Sequence, residues 1–381
     1  MGIYYMMAGF LCLGSILWDD ENPIISHKRK KAQNLFLILS AALFIAVATL
    51  RYGIGFDYFN YENMYKDLGP LSWKELLQDH VGKKFLGYSM FMRLCFLFHL
   101  NYRTLLLLVN TGLTIIVFKF IKKYSPMPWL SAYLYLTLQF FAHSMNLMRQ
   151  SIAATICLLS YDYLKKRKFL PFAMIILLAS SFHLSAVFWL PFYWILNWKV
   201  SGKRFAVMSA ALLPVYLYST QAAQFLTKYI FRSYAGYIGS RYWRPLGMQY
   251  IIFPAIYFAA VWLCRKRLLA EDEDNRFLIN TSFYVLILYV FSTHHMILER
   301  FSIYLFFYAL ILLPKLAETF RTGSRWNLQP EHKQEKETNE TLFLIVLCAV
   351  VVLGFAYLIF ASKQGKYGFH KVYPYHWVFN K

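Results

Sequence analysis

Charge is scarce in this chain, and acid scarcest: 19 Asp and Glu stand against 40 Lys and Arg in 381 residues, and charged residues make up 15% in all. Soluble domains carry about a quarter charged residues, so a water-exposed globule of this length is excluded. Cysteine is sparse as well. Cys12, Cys95, Cys157, Cys264 and Cys348 stand singly in apolar segments without metal-ligand spacing. That excludes a zinc module or disulfide scaffold and leaves them as small hydrophobes. No Walker-type lysine loop and no G-x-G-x-x-G after a strand pattern is present, so neither a nucleotide site nor any other cofactor is expected.

What is abundant is apolar: 59% of residues are hydrophobic and the mean hydropathy is +0.40. These residues fall in runs close to the ~20 that a helix needs to cross a ~30 Å hydrocarbon core. Barrel strands would alternate polar and apolar over about ten residues, which these runs do not. The expected fold class is all-α, a single polytopic membrane domain over 1–381. About twelve spans are expected, at 3–18, 34–50, 103–121, 127–143, 149–163, 169–182, 184–197, 205–219, 247–263, 278–293, 300–317 and 341–361. The first run, Gly2–Trp18, lacks a basic leader and a small-residue cleavage site before Asp19-Asp20 and reads as a retained span.

The net charge of +21 invites a nucleic-acid reading, but the positions of the charges argue against it. Lys28–Lys31, Lys122-Lys123, Lys165–Lys168, Lys203-Arg204 and Arg265–Arg267 each cap a hydrophobic run. That is the pattern of cytoplasmic loops, so nucleic acid is not an expected partner and membrane lipid is. Both termini are then extracytoplasmic, with outer loops at 51–102 and 220–246 and an inner loop at 315–340. Phe85–Leu100 is apolar but would break the parity of the scheme as a span. It is expected as a juxtamembrane or re-entrant helix in the first outer loop, with Arg93 turned toward protein or water. Phe169–Trp198 must hold two short crossings with a recessed apex at His183.

Under this topology the polar residues near membrane level collect at the outer turns. Arg51 and Asp57 follow the second span. Asn146, Arg149 and Gln150 share one helix face by their spacing, His183 sits at the recessed apex, and His294, His295, Glu299 and Arg300 lie between two late spans. Each has a structural reading. Arg51 can anchor at the interface, Asp57 can pair with it, and His183 can be a satisfied core histidine. His294-His295-x-x-x-Glu299 has metal-like residue types, but Arg300 would repel a cation, so no metal is expected. As a functional set, outward arginines beside carboxylates suit a lipid-borne diphosphate at the outer face. Arginine grips phosphate in bidentate fashion and stabilises the charge of a leaving diphosphate. A carboxylate can deprotonate an attacking sugar hydroxyl.

Arg51-Tyr-Gly-Ile-Gly-Phe-Asp57-Tyr, Asn146-Leu-Met-Arg149-Gln150-Ser-Ile-Ala, Ala179-Ser-Ser-Phe-His183-Leu-Ser-Ala, Glu299-Arg300-Phe-Ser-Ile-Tyr304 and Tyr373-Pro-Tyr375 follow one another in this order. Together they resemble the EpsG family of bacterial surface-polysaccharide polymerases of the Wzy type, over residues about 50–376; Phe56 stands where that family usually carries a small polar residue. The resemblance implies polymerisation of undecaprenyl-diphosphate-linked repeat units at the outer face of the bacterial cytoplasmic membrane, for O-antigen, capsule or exopolysaccharide. Expected partners are those lipid-linked glycans and a chain-length regulator protein. Asp57, Glu299 and His183 are the expected catalytic residues, Asp57 the preferred base. Arg51, Arg149 and Arg300 are expected to bind diphosphate, supported by Asn146, Gln150 and His295. Two rivals remain: a lipid-linked oligosaccharide flippase, which needs polar residues through the membrane depth, and an acyltransferase, which needs a donor site on the cytosolic side.

Overall fold

The computed structural model describes residues 1–18, 26–229, 235–236, 238–240, 243–326 and 333–379. Asp19-Asp20 and parts of the 220–246 and 315–340 loops lie outside the described residues. The protein is all-α, 79% helical with no strand among the described residues. The longer helices among the described residues are α1 (Gly2–Leu13), α2 (Ser26–Thr49), α3 (Tyr58–Leu68), α4 (Leu86–Leu97), α5 (Tyr102–Tyr124), α6 (Pro128–Thr137), α7 (Phe140–Asn146), α8 (Met148–Leu158), α9 (Phe169–Phe182), α10 (Gly202–Leu217), α11 (Ser219–Tyr229), α12 (Ile252–Glu271), α13 (Asn275–Ser292), α14 (Glu299–Phe306), α15 (Ala309–Trp326) and α16 (Lys333–Ser362).

Among the described residues four helical stretches are long and apolar enough to cross a membrane: Lys28–Thr49, Tyr102–Tyr124, Met248–Glu271 and Thr338–Ser362. The count reaches six if two bent pairs each make one crossing, α10 with α11 at 77° and Met296–Phe306 with Ala309–Arg321 at 56°. Twelve full-length spans is therefore more than the helix lengths give. The reason lies in local backbone breaks. The expected run 127–143 starts on Pro128 and is cut at Gln139, whose φ of +69° leaves the right-handed helical region. At Leu147 (φ −101°, ψ +58°) the chain breaks again before α8. A seven-residue helix such as α7 reaches only about 10 Å. Phe85–Leu100 forms the twelve-residue α4, packed on α3 and α9. Arg93 turns inward there, donating to the carbonyls of Gly69 (2.9 Å) and Pro70 (3.4 Å).

The broken segment α6–α8 is the centre of the molecule, with nearly every side chain from Met127 to Leu158 buried. Its rings interlock with α14 and the turn after it, Phe140 stacking on Phe307 at 4.6 Å. Helix α5 packs on α2, α9 on α8, α12 on α13 and α16 on α15 around this centre. The periphery shows large apolar side chains to the surroundings, Leu170 (70% exposed) on α9 and Leu263 (78%) on α12 among them, as a lipid-facing surface requires.

The two ends of the bundle differ. At one, Lys165 pairs with Asp274 (3.1 Å) and Lys123 with Asp162. Asn280 there donates to the carbonyls of Leu196 and Trp198, both at 2.9 Å. Helix α9 thus leaves this end, the chain turns at His183, and Leu184–Trp189 begins the return. The opposite end gathers Arg51, Asn146, Glu299, Arg300 and the stretch after α16.

Candidate functional site

At that opposite end lies a cavity of about 530 Å³, walled by five segments far apart in sequence. Phe56 and Asp57 come from the loop after α2, Asn146 and Leu147 from the α7–α8 break, and Pro245–Gly247 with Tyr250 from the approach to α12. Glu299 and Arg300 open α14, and Gln364–His370 follow α16.

The loop carrying Asp57 is held by backbone contacts that only glycine permits. Gly55 has φ +94°, and a Cβ there would stand 2.7 Å from the Met145 carbonyl oxygen and 3.1 Å from Asn146 Cα. Its N–H donates to the Lys371 carbonyl at 2.9 Å, and the Tyr52 N–H to that of His376 at 3.0 Å. Arg51 forms an isolated bridge of sheet type opposite Trp377. Asn146, 5% exposed, joins both sides: its Oδ1 accepts the Phe56 N–H at 2.8 Å while its Nδ2 lies 3.3 Å from His370 Nδ1. Asp57 precedes α3 at the rim of the cavity, half-buried, and accepts the amide of Asn60 at 3.2 Å.

The expected arginine trio is split by the structure. Arg51 is fully buried and does not line the cavity. It donates to the carbonyls of Ala48 and Met145 (3.3 Å for the latter) and lies over the Tyr58 ring. Arg300 lines the cavity, and the Gln150 amide fixes its backbone by donating to the Arg300 carbonyl at 2.6 Å. Arg149 is on the flank. Its guanidinium lies 3.6 Å from the centre of the Phe85 ring and 5.6 Å from that of Tyr61, and its Nε and Nη1 are buried without hydrogen-bond partners. The shared helix face expected for Asn146, Arg149 and Gln150 does not exist, because Leu147 ends α7 after Asn146 and the other two belong to α8.

His183 joins the flank rather than the cavity. Its Nδ1 is 2.6 Å from the Ser185 hydroxyl, which in turn meets the Tyr304 hydroxyl at 2.7 Å. His295 is a wall support. Its two ring nitrogens meet the Trp243 carbonyl and the Thr220 hydroxyl, both at 3.0 Å, and its ring lies on Trp243. The Met296 N–H to Arg244 carbonyl and Leu246 N–H to Ser292 carbonyl bonds complete that wall. Glu299, within 3.4 Å of the Tyr289 hydroxyl, also faces a smaller cavity behind the first, lined with His143 and His370. Among the described residues no three His, Cys, Asp or Glu side chains gather in a way that would hold a metal ion.

Sequence reasoning missed the Gln364–His370 wall with Lys366 and His370, and Tyr250. His370 is 5% exposed, and burial and the charge of Arg300 push its pKa down to about 3. The one sequence signal nearby, Tyr373-Pro-Tyr375, sits just beyond: Tyr373 donates to the Gln139 side chain at 3.1 Å and Tyr375 to the Val47 carbonyl at 2.6 Å.

The model of the EpsG family matches residues 34–377, nearly the whole chain. The chain belongs to that family, which marks it as a membrane protein of polysaccharide biosynthesis. No curated protein and no solved structure matches it.

Proposed function

We propose, with membership of the EpsG family as the premise, that this protein polymerises lipid-diphosphate-linked glycan repeat units at the outer face of the bacterial cytoplasmic membrane. The observation that carries the reading is the 530 Å³ cavity in which two carboxylates, Asp57 and Glu299, meet Arg300 and Lys366 beside the rings of Phe56, Tyr250, Tyr367 and Phe369. Basic groups suit diphosphate, ring faces suit sugars, and a carboxylate suits an acceptor hydroxyl.

In this reading Asp57 takes the proton of a hydroxyl on the terminal sugar of a fresh lipid-linked unit. That oxygen bonds to the anomeric carbon of the growing glycan while the bond from that carbon to the phosphate oxygen breaks. The electron pair leaves with undecaprenyl diphosphate, whose charge Arg300 stabilises. The diphosphate is itself the activated leaving group, so no nucleotide enters. Glu299 is the second choice of base, Arg149 a flanking grip and Arg51 a scaffold. Collection of the polar groups at one end, with an ion-paired end opposite, favours an enzyme over a flippase, which needs polar groups through the membrane depth.

The test is the surface glycan of a strain lacking the gene. Single repeat units remaining on the surface support polymerisation. Complete absence of the repeat unit there points to a flippase, and unchanged polymer refutes both.

A further inference from the structure

Asn146 fixes the proton of a neighbour. Its Oδ1 lies 2.8 Å from the Phe56 N–H, and a backbone N–H can only donate. The Asn146 oxygen must therefore face Phe56, which leaves the Nδ2 amide pointing at His370 Nδ1, 3.3 Å away. An amide nitrogen can only donate, so Nδ1 is the accepting nitrogen and the proton of the neutral imidazole is on Nε2. His370 is 5% exposed and lines the cavity together with Arg300, Glu299 and Lys366. No hydrogen bond from its Nε2 to another residue of the protein is present among the described residues.

We propose that His370 is a further binding residue of this cavity, a donor whose Nε2–H, oriented by Asn146, bonds an oxygen of the substrate's diphosphate alongside Arg300. The inference rests on the function proposed above and adds to it a donor from the segment that follows α16. The groups facing the imidazole from the packed elements are His143, whose ring centre is 5.4 Å away, Arg300, Glu299 and Tyr250. Burial and, after it, the cation of Arg300 disfavour a charged ring. A bound diphosphate opposes the Arg300 cation, and the Nε2–H donates to it with charge assistance from the anion.

The probe is geranyl diphosphate added to the purified protein in detergent, with geraniol and inorganic diphosphate as the two partial ligands. Its affinity is measured for the wild type, His370→Gln and His370→Phe. Glutamine can place an N–H where Nε2 stood and phenylalanine cannot. The expected result is near-wild-type affinity for His370→Gln and about a tenfold or greater loss for His370→Phe, the size of one charge-assisted hydrogen bond. Geraniol binding should be the same in all three. Inorganic diphosphate should follow the geranyl diphosphate order, which assigns the contact to the headgroup.

A second readout does not depend on the variants folding. With ¹⁵N-labelled histidine in the wild type, the His370 signals should show protonated Nε2 and unprotonated Nδ1 before the probe is added, and Nε2 should shift on its addition. Equal affinity of His370→Phe and wild type, or an unmoved Nε2 signal in a protein that binds the probe, overturns this inference alone. A wild-type protein that binds no geranyl diphosphate overturns the proposed function and this inference with it.

Discussion

Replacing Gly55 by alanine asks how firmly the mouth of the cavity is held. The backbone at φ +94° is one that L-residues rarely adopt, and the new methyl would meet the Met145 carbonyl oxygen at 2.7 Å. Both obstacles are backbone, with no flexible side chain to swing away. Forcing a non-glycine residue into such a conformation costs on the order of 1–3 kcal/mol. Displacing the loop instead loses the Gly55 N–H bond to Lys371 and the Phe56 N–H bond to Asn146, each worth about 1 kcal/mol. By either route the docked loop is disfavoured by roughly 2 kcal/mol, about thirtyfold in its equilibrium. The global fold should survive, because the clash is confined to the loop after α2 and the last residues of α7, and the interlocked rings of Phe140 and Phe307 are not touched. The assay is in-vitro polymerisation of purified lipid-linked repeat units, read beside the melting temperature in detergent. Gly55→Ala should lose most of its polymerising rate with a melting temperature within a few degrees of wild type. A Gly55→Ala protein that polymerises at the wild-type rate refutes the reasoning, since Asp57 would then not need the docked loop.

Asp57→Asn should cut the same rate by about 10²–10⁴-fold, the range of general-base assistance, with stability unchanged; more than a tenth of the wild-type rate remaining moves the base to Glu299. Arg149→Lys keeps charge but loses the planar face on Phe85 and the two unpartnered guanidinium nitrogens, so chain length and rate should fall about tenfold or more at matched expression, and wild-type chains would make Arg149 an anchor. Arg51→Met should lower the melting temperature, because the Ala48 and Met145 carbonyls lose their buried donor; loss of geranyl diphosphate affinity at an unchanged melting temperature would instead place Arg51 on the substrate. A cysteine at Lys203 should resist impermeant thiol reagents in intact cells while one at Gly236 labels, and labelling at 203 contradicts the assigned orientation.

Much of this was legible because membrane insertion writes its rules locally. Basic clusters at the ends of apolar runs set which turns share an end, and the structure does bring Asp57, Asn146, Glu299 and Arg300 to one cavity. Regular helical periodicity misled where the backbone breaks. Asn146, Arg149 and Gln150 look like one stripe, but the kink at Leu147 sends them to the Phe56 loop, the Phe85 ring and the Arg300 carbonyl respectively. Nothing short-range marks such a kink in an apolar run. The burial of Arg51 was not legible for a related reason: its partners are carbonyls, which leave no trace in side-chain composition. His370 was invisible because its meaning comes from Asn146, 224 positions earlier, in a polar, aromatic stretch without periodicity.

The strap of residues 371–378 against the loop after α2 has a consequence in time. Tyr375 reaches back 328 positions to Val47, and Tyr52 and Gly55 also wait for carbonyls beyond 370. A ribosome adds about 5–20 residues per second, so the outer loop stands undocked for roughly 15–65 s while the helices between are threaded into the bilayer. During that interval the Tyr52 and Gly55 N–H groups lack the carbonyl partners they have in the folded protein, and the nascent chain offers a folding factor at the outer face a transient extended segment that the finished protein has paired.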